Sequence, residues 1–286
     1  GGIEAVCVID GSPDASGALL ETGLAQAAFA SQLIWLSRNF GSFAAIREGL
    51  RSAKGQWCAV MAADLQEPAS FIEESVAALR TGEYDVVIGT RAVRNDPFGA
   101  RLAAGLFWSA YRRFIQPDIP KGGVDVFACN GEFRDHLVAF AETHSSLVGQ
   151  LMWLGFRRLT LPYERLAREH GTSAWGFRRK VRYLLDSVFS FSDWPIRMFV
   201  LTGAAGLIAA LALGITILLA RMTDVIAVPG YAATMVAILF FAGINLLGLG
   251  VIGSYVWRTY ENTKARPLAV VMRARGFDGN TGKIES

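Results

Sequence analysis

An α/β layer domain followed by two membrane-crossing helices is the architecture this 286-residue sequence predicts, and three observations predict it. Short apolar runs alternate with longer helical patterns from residue 1 to about residue 170. Four of those runs end in polar, turn-forming residues. Two later stretches contain no Asp, Glu, Lys or Arg over lengths that suit a bilayer.

The apolar runs Ile3 to Ile9, Leu33 to Leu36, Trp57 to Ala62 and Tyr84 to Gly89 read as buried strands. Between and after them, Ala15 to Ala30, Ser42 to Ala53, Pro68 to Arg80 and Arg101 to Phe114 read as helices. Strand and helix in alternation predict a mainly parallel sheet, and such sheets bind ligands outside the carboxyl ends of their strands. Those ends carry Asp10-Gly11-Ser12-Pro13-Asp14, Ser37-Arg38-Asn39-Phe40-Gly41, Asp64-Leu65-Gln66-Glu67-Pro68 and Gly89-Thr90-Arg91. Each by itself is an ordinary turn or helix cap. Four on one edge predict a site. Asp64 can cap the helix that starts near Pro68, but that role leaves Gln66 unexplained. A carboxylate and an amide oxygen two residues apart are hard ligands suited to Mg²⁺ or Mn²⁺.

Hydrophobic residues make up 52% of the chain and charged residues 19%, against roughly 25% charged in an ordinary soluble domain. Disorder, which needs the opposite balance, is excluded. The apolar excess sits late, in the charge-free runs Met198 to Ala220 and Val225 to Trp257. The first, as a helix, is about 34 Å long, enough for a hydrocarbon core of about 30 Å. A buried hairpin in a soluble protein is the competing reading, disfavoured because core helices seldom stay charge-free for so long. Neither run is N-terminal, so neither is a signal peptide.

Arg178, Arg179, Lys180, Arg182 and Arg197 precede the first run, and Arg258, Lys264, Arg266, Arg273 and Arg275 follow the second. The connection from Arg221 to Gly230 holds one Arg and one Asp. Positive-inside logic places both termini in the cytoplasm at the inner (plasma) membrane. The basic residues from Arg178, followed by Leu184, Leu185, Val188, Phe189 and Phe191, suit a helix lying in the interface against anionic lipid. Four regions result: 1–170, the α/β domain; 171–196, a juxtamembrane amphipathic segment; 197–257, two spans; and 258–286, a cytoplasmic tail. The net charge of +3 is small and its basic residues cluster at the membrane runs, so no nucleic-acid partner is expected. Cys7, Cys58 and Cys129 are odd in number and far apart, which excludes a disulfide framework or zinc spacing and fits a reducing compartment.

As a set, these residues resemble the membrane-associated family 2 glycosyltransferases that charge polyprenyl phosphates. The matching pieces are Asp10-Gly11-Ser12 with Asp14, Leu36 to Gly41, Ala63 to Pro68, Phe189-Ser190-Phe191-Ser192, Gly250 to Tyr255, and Lys264-Ala265-Arg266-Pro267. They follow in order along essentially the whole chain. The resemblance implies a GT-A fold, a nucleotide-sugar donor such as UDP-glucose, a divalent metal, and inverting transfer of a hexose to a polyprenyl phosphate, undecaprenyl phosphate in bacteria. It also implies a homotetramer. By position it implies that Asp10, Gly11, Ser12, Arg38 and Asn39 line the nucleotide pocket and that Asp64 and Gln66 hold the metal. Asp125 then stands near the reacting centre, with Arg91 and Arg101 for the acceptor phosphate.

The sequence departs from that pattern at several points. Ala62 stands where the family's metal motif has its first aspartate, and Ile9 replaces an Asp or Asn. Phe127 replaces an Arg two residues after Asp125, and Ala174 replaces a Lys in the stretch after the domain. Relatives open with a further strand, so the chain is expected to be one βα unit short of a complete transferase. A processive polysaccharide synthase is disfavoured, because the Gln-x-x-Arg-Trp acceptor motif is absent. A dinucleotide dehydrogenase is disfavoured too, since no G-x-G-x-x-G follows a strand. From another class, a non-catalytic membrane scaffold is the alternative that the departures favour.

Overall fold

The computed structural model describes residues 2–64, 66–91, 109, 112–113, 117–120, 123–166, 185–222 and 230–279. The strands are β1 (Glu4–Ile9), β2 (Ala30–Leu36), β3 (Trp57–Ala59), β4 (Val86–Arg91), β5 (Val126–Asn130), β6 (Arg158–Tyr163) and β7 (Val271–Phe277). The helices are α1 (Ser16–Ala25), α2 (Ser42–Ser52), α3 (Ala69–Arg80), α4 (Gly131–Ala139), α5 (Leu147–Trp153), α6 (Trp194–Met222) and α7 (Tyr231–Thr263). Three sequence expectations, the helix over Arg101 to Phe114, Arg101 itself and the basic residues from Arg178 to Arg182, fall largely or wholly outside the described residues.

The fold is α/β, as expected, but the sheet is not mainly parallel. The strands form two sheets, ordered β1-β2-β7 and β3-β5-β4-β6. Among the described residues, β1–β2 and β4–β6 pair in parallel, whereas β2–β7, β3–β5 and β4–β5 are antiparallel. The reason is connectivity. β5 re-enters the sheet against the direction of its neighbours, and β7 arrives from the far end of a helical hairpin. Neither direction leaves a mark on hydrophobic periodicity.

That same antiparallel β5 sets the geometry of the site. Because β5 lies between β3 and β4 and opposes both, β3 and β4 run the same way, and β6 runs with them. The carboxyl ends of β3, β4 and β6 and the amino end of β5 therefore share one edge. The sheet is held by burial on both faces. Val86 and Ile88 pack with Cys129, Phe133, Leu137 and Leu151, while Val87 points the other way to Phe71, Val126 and Ala128. Asn130 and Ser146 start α4 and α5 by accepting hydrogen bonds from the Phe133 and Gly149 N–H groups at 2.8 and 3.2 Å.

Helix α2 joins the two sheets, since Leu50 belongs to the first cluster and Gly49 abuts Val8 of β1. At its end, Gln32 Nε2 donates to the Ser52 carbonyl at 2.9 Å, and the Lys54 N–H donates to Glu4 at 2.8 Å. The amino ends of β1 and β2 are thereby fixed beside the chain that enters β3.

On the opposite edge, Asp85 is buried and accepts from Arg157 Nε and Nη2 at 2.9 and 2.8 Å and from Asn130 Nδ2 at 3.0 Å. The Arg157 hydrogen bonds hold its carboxyl below the usual range. A lowered native pKa stabilises the fold above the unfolded value of about 3.9 and loses that contribution as pH falls through it. Asp85→Ala is expected to cost about 1–3 kcal/mol at neutral pH. Thermal melting should show the gap from wild type narrowing below about pH 4, and an unchanged gap at low pH would contradict the assignment.

Helices α6 and α7, of 29 and 33 residues, are long and apolar enough to cross a membrane. Their most apolar windows, Trp194–Thr216 and Phe240–Thr263, have 0% and 6% of their residues buried within the molecule, unlike a soluble core helix. Phe199 of α6 lies on Gly248 of α7, where a Cβ would collide with the ring. The base of the hairpin is tied to the α/β domain. Phe191 sits on Gly149, Ser190 Oγ donates to the His144 carbonyl at 2.6 Å, and the Thr143 N–H donates to Asn262 at 3.1 Å. Arg258 pairs with Asp186 at 2.9 Å. Beyond the hairpin, in residues read from sequence as a tail, β7 pairs with β2, and its Arg273 and Arg275 both pair with Glu21.

Candidate functional site

The predicted residues that are described fall into two groups, one on each sheet. The first joins the ends of β1 and β2. Asp10 uses both carboxylate oxygens inside the protein, accepting from the Phe40 N–H at 2.7 Å and the Gly41 N–H at 2.9 Å, while Asn39 Nδ2 donates to the Asp10 carbonyl at 3.0 Å. Gly11 follows at φ +64°, and a Cβ there would run into the backbone of Arg38 and Asn39. The residue type is therefore dictated by a close approach of two loops. Arg38 lies over the Phe40 ring at 4.0 Å, and Ser12 is exposed. In this arrangement Asp10 shapes the loop, while Ser12 and Arg38 offer polar groups outward.

The second group gathers on β3, β4, β5 and β6. Just before β5, Asp125 accepts from Arg91 Nε, from Arg91 Nη2 at 3.3 Å and from the Tyr163 hydroxyl at 3.3 Å. Arg91 and Asp125 side chains are 25% and 23% exposed, so the pair is reachable but partly desolvated. Burial, with Asp125 adding to it, pushes the Tyr163 phenol above its usual range, which keeps it a hydrogen-bond donor.

Beyond β3, Asp64 and Gln66 face a cation. It is Arg165, two residues past β6, whose Nη2 donates to Gln66 Oε1 and lies 3.9 Å from Asp64 Oδ2. Gln66 is clasped to the same loop: its carbonyl accepts from the Leu166 N–H at 2.9 Å, and its Nε2 donates to the Leu166 carbonyl at 3.2 Å. Glu67 is buried and turned inward, accepting from the Ala62 N–H at 3.2 Å, and burial raises its carboxyl above the usual range.

Sequence reasoning missed Arg165 and Tyr163, which the alternation Arg158-Leu159-Thr160-Leu161-Pro162-Tyr163 could have located at a strand end. Among the described residues no group of three His, Cys, Asp or Glu is placed to hold a metal. The donor set does suit one hard cation. A carboxylate and an amide oxygen converge on the Arg165 guanidinium as a stand-in charge, and a diphosphate would have to supply further oxygens.

Comparison with known proteins extends this picture. Residues 1–136 match the model of the family described as glycosyl transferase family 2. An uncharacterized glycosyltransferase of Synechocystis sp. is 33% identical over 276 residues, covering 96% of this chain and 86% of that protein. A prophage bactoprenol glucosyl transferase homolog of Escherichia coli is 28% identical over 274 residues, covering 96% and 89%. The bactoprenol glucosyl transferase of Shigella phage SfII is 26% identical over 273 residues, covering 95% and 88%.

Proposed function

The chain belongs to glycosyl transferase family 2 and is a glycosyltransferase, and from that premise we propose that it transfers a hexose from a nucleotide-sugar to a polyprenyl phosphate, with inversion, at the cytoplasmic face of a membrane. The observation that carries this reading is the meeting, on one strand edge, of an Asp64–Gln66 cation seat and an Arg91–Asp125 pair in a domain tied to two long exposed apolar helices. The names of the Escherichia coli and phage relatives, a bactoprenol glucosyl transferase homolog and a bactoprenol glucosyl transferase, supply the class of acceptor.

The roles follow from charge. A lipid phosphate has a second pKa of about 6, so near neutrality it is already nucleophilic and needs little general-base help. What it needs is a way to approach an anionic donor. Arg91 supplies a guanidinium for the acceptor phosphate, pre-oriented by Asp125, which Tyr163 holds in turn. Asp125 positions that arginine and borders the reacting centre. Asp64 and Gln66 would hold Mg²⁺ or Mn²⁺ with the donor diphosphate. The metal, when bound, stabilises the negative charge on the departing nucleoside diphosphate. Ser12, Arg38 and the Asp10 loop border the nucleotide side, and α6 and α7 set the edge against the bilayer where the acceptor phosphate lies.

The test uses membranes from cells producing the protein, incubated with Mg²⁺, undecaprenyl phosphate and radiolabelled UDP-glucose, UDP-N-acetylglucosamine or GDP-mannose. Label is expected in the lipid extract with one donor, and the product's anomeric configuration, read by NMR, is expected to be opposite to the donor's. No lipid label with any donor would overturn the polyprenyl phosphate as acceptor, and retained configuration would overturn inversion.

A further inference from the structure

The seat formed by Asp64 and Gln66 already contains a positive charge, and that charge belongs to the chain. We propose that the Arg165 guanidinium and a divalent metal ion are alternative occupants of this seat, and that the donor diphosphate decides between them by drawing Arg165 onto itself. Metal binding is then conditional on nucleotide. The inference rests on the assignment of Asp64 and Gln66 to the metal made above.

Four observations carry it. Arg165 Nη2 is hydrogen-bonded to Gln66 Oε1 and 3.9 Å from Asp64 Oδ2, so its charge lies against oxygens a metal would need. A guanidinium does not deprotonate at physiological pH, so a second cation cannot enter without displacing it. Its Nε is buried with no hydrogen-bond partner among the described residues, so this position leaves the guanidinium incompletely satisfied. A diphosphate presents the paired oxygens a guanidinium fork prefers.

The third observation concerns the anchor. Leu166 is clasped to Gln66 through two hydrogen bonds, at 2.9 and 3.2 Å, so the side chain of Arg165 can exchange partners while its backbone stays in place. The fourth is the poverty of the seat. Position 62 is an alanine, and Glu67 is turned to the Ala62 N–H at 3.2 Å, which leaves Asp64, among the described residues, as the carboxylate that faces the seat. Mg²⁺ and Mn²⁺ bind weakly to one carboxylate and one amide, and gain affinity when phosphate oxygens complete the shell.

The experiment measures Mn²⁺ binding to the purified protein in detergent by electron paramagnetic resonance, with and without UDP, for wild type and Arg165→Gln. Wild type is expected to bind Mn²⁺ at least about tenfold more tightly with UDP than without, within the usual span of coupled ligands. Arg165→Gln is expected to bind Mn²⁺ without UDP about tenfold more tightly than wild type and to gain less from UDP. Arg165→Lys, which keeps the charge, should resemble wild type in the absence of UDP.

Equal, weak binding by Arg165→Gln and wild type without UDP would overturn the proposal, provided melting shows the variant folded; if it is not folded, a wild type that binds Mn²⁺ equally well with and without UDP would overturn it. Binding that survives in Asp64→Ala/Arg165→Gln would also overturn it, by placing the ion elsewhere. No Mn²⁺ in any arm, UDP included, would instead defeat the metal assignment of Asp64 and Gln66.

Discussion

Asp64→Ala is expected to lower transfer of sugar to lipid phosphate by about a thousandfold, the scale associated with losing a principal electrostatic stabiliser of a leaving group. The effect is large because, among the described residues, this site has little redundancy. Where the family pattern has its first aspartate the chain has Ala62, and Glu67 turns its carboxylate to the Ala62 N–H. Removing Asp64 also leaves Arg165 with Gln66 as its remaining partner of the pair. Asp64→Asn keeps the shape and loses the charge, so it should be nearly as impaired. Initial rates of lipid labelling decide the matter. Activity above one tenth of wild type, in a variant whose melting curve is unchanged, would remove Asp64 from the donor site.

Arg91→Ala should reduce the same rate by about a hundredfold, chiefly as a raised KM for the lipid phosphate. Arg91 and Asp125 are joined through Nε and through Nη2 at 3.3 Å, so each is the other's partner as well as a candidate contact for substrate. Substitutions in such a unit do not add. The Arg91→Ala/Asp125→Asn double variant is therefore expected to be little worse than the poorer single one. Arg91→Lys retains charge but not the two-point hold on Asp125, and should recover only part of the loss. An Arg91→Ala enzyme with an unchanged KM for lipid phosphate would assign that arginine to structure.

The parts of the fold legible in the sequence are those with a one-dimensional signature. The first four strands were expected near their observed places because Leu33, Ile34, Val86 and Val87 lie in runs buried on both faces. Helices α1, α2 and α3 followed from apolar spacing, though α1 ends at Ala25, short of the expected Ala30. What periodicity does not carry is partnership across the chain. β6 reads Arg-Leu-Thr-Leu-Pro-Tyr, an alternation that marks a strand but not its partner, and β7 reads Val-Met-Arg-Ala-Arg-Gly-Phe, which looks like a polar connection until β2 pairs with it. The site shows the same limit. Asp64, Gln66 and Arg91 were found because they directly follow apolar runs. Arg165 lies 99 residues from Gln66 and is brought to it by the parallel pairing of β4 and β6, which no local pattern encodes.

Strand β7 has a consequence for how the molecule is made. Its residues follow both long apolar helices in the chain, yet they complete the sheet begun by β1 and β2, with Trp35 opposite Arg273 and Ser31 opposite Phe277. During synthesis the edge of β2 must therefore wait, unpaired, until the hairpin has emerged and the last strand has doubled back. Contacts of such long sequence separation form slowly. The α/β domain therefore cannot reach its final form until both helices have been synthesised.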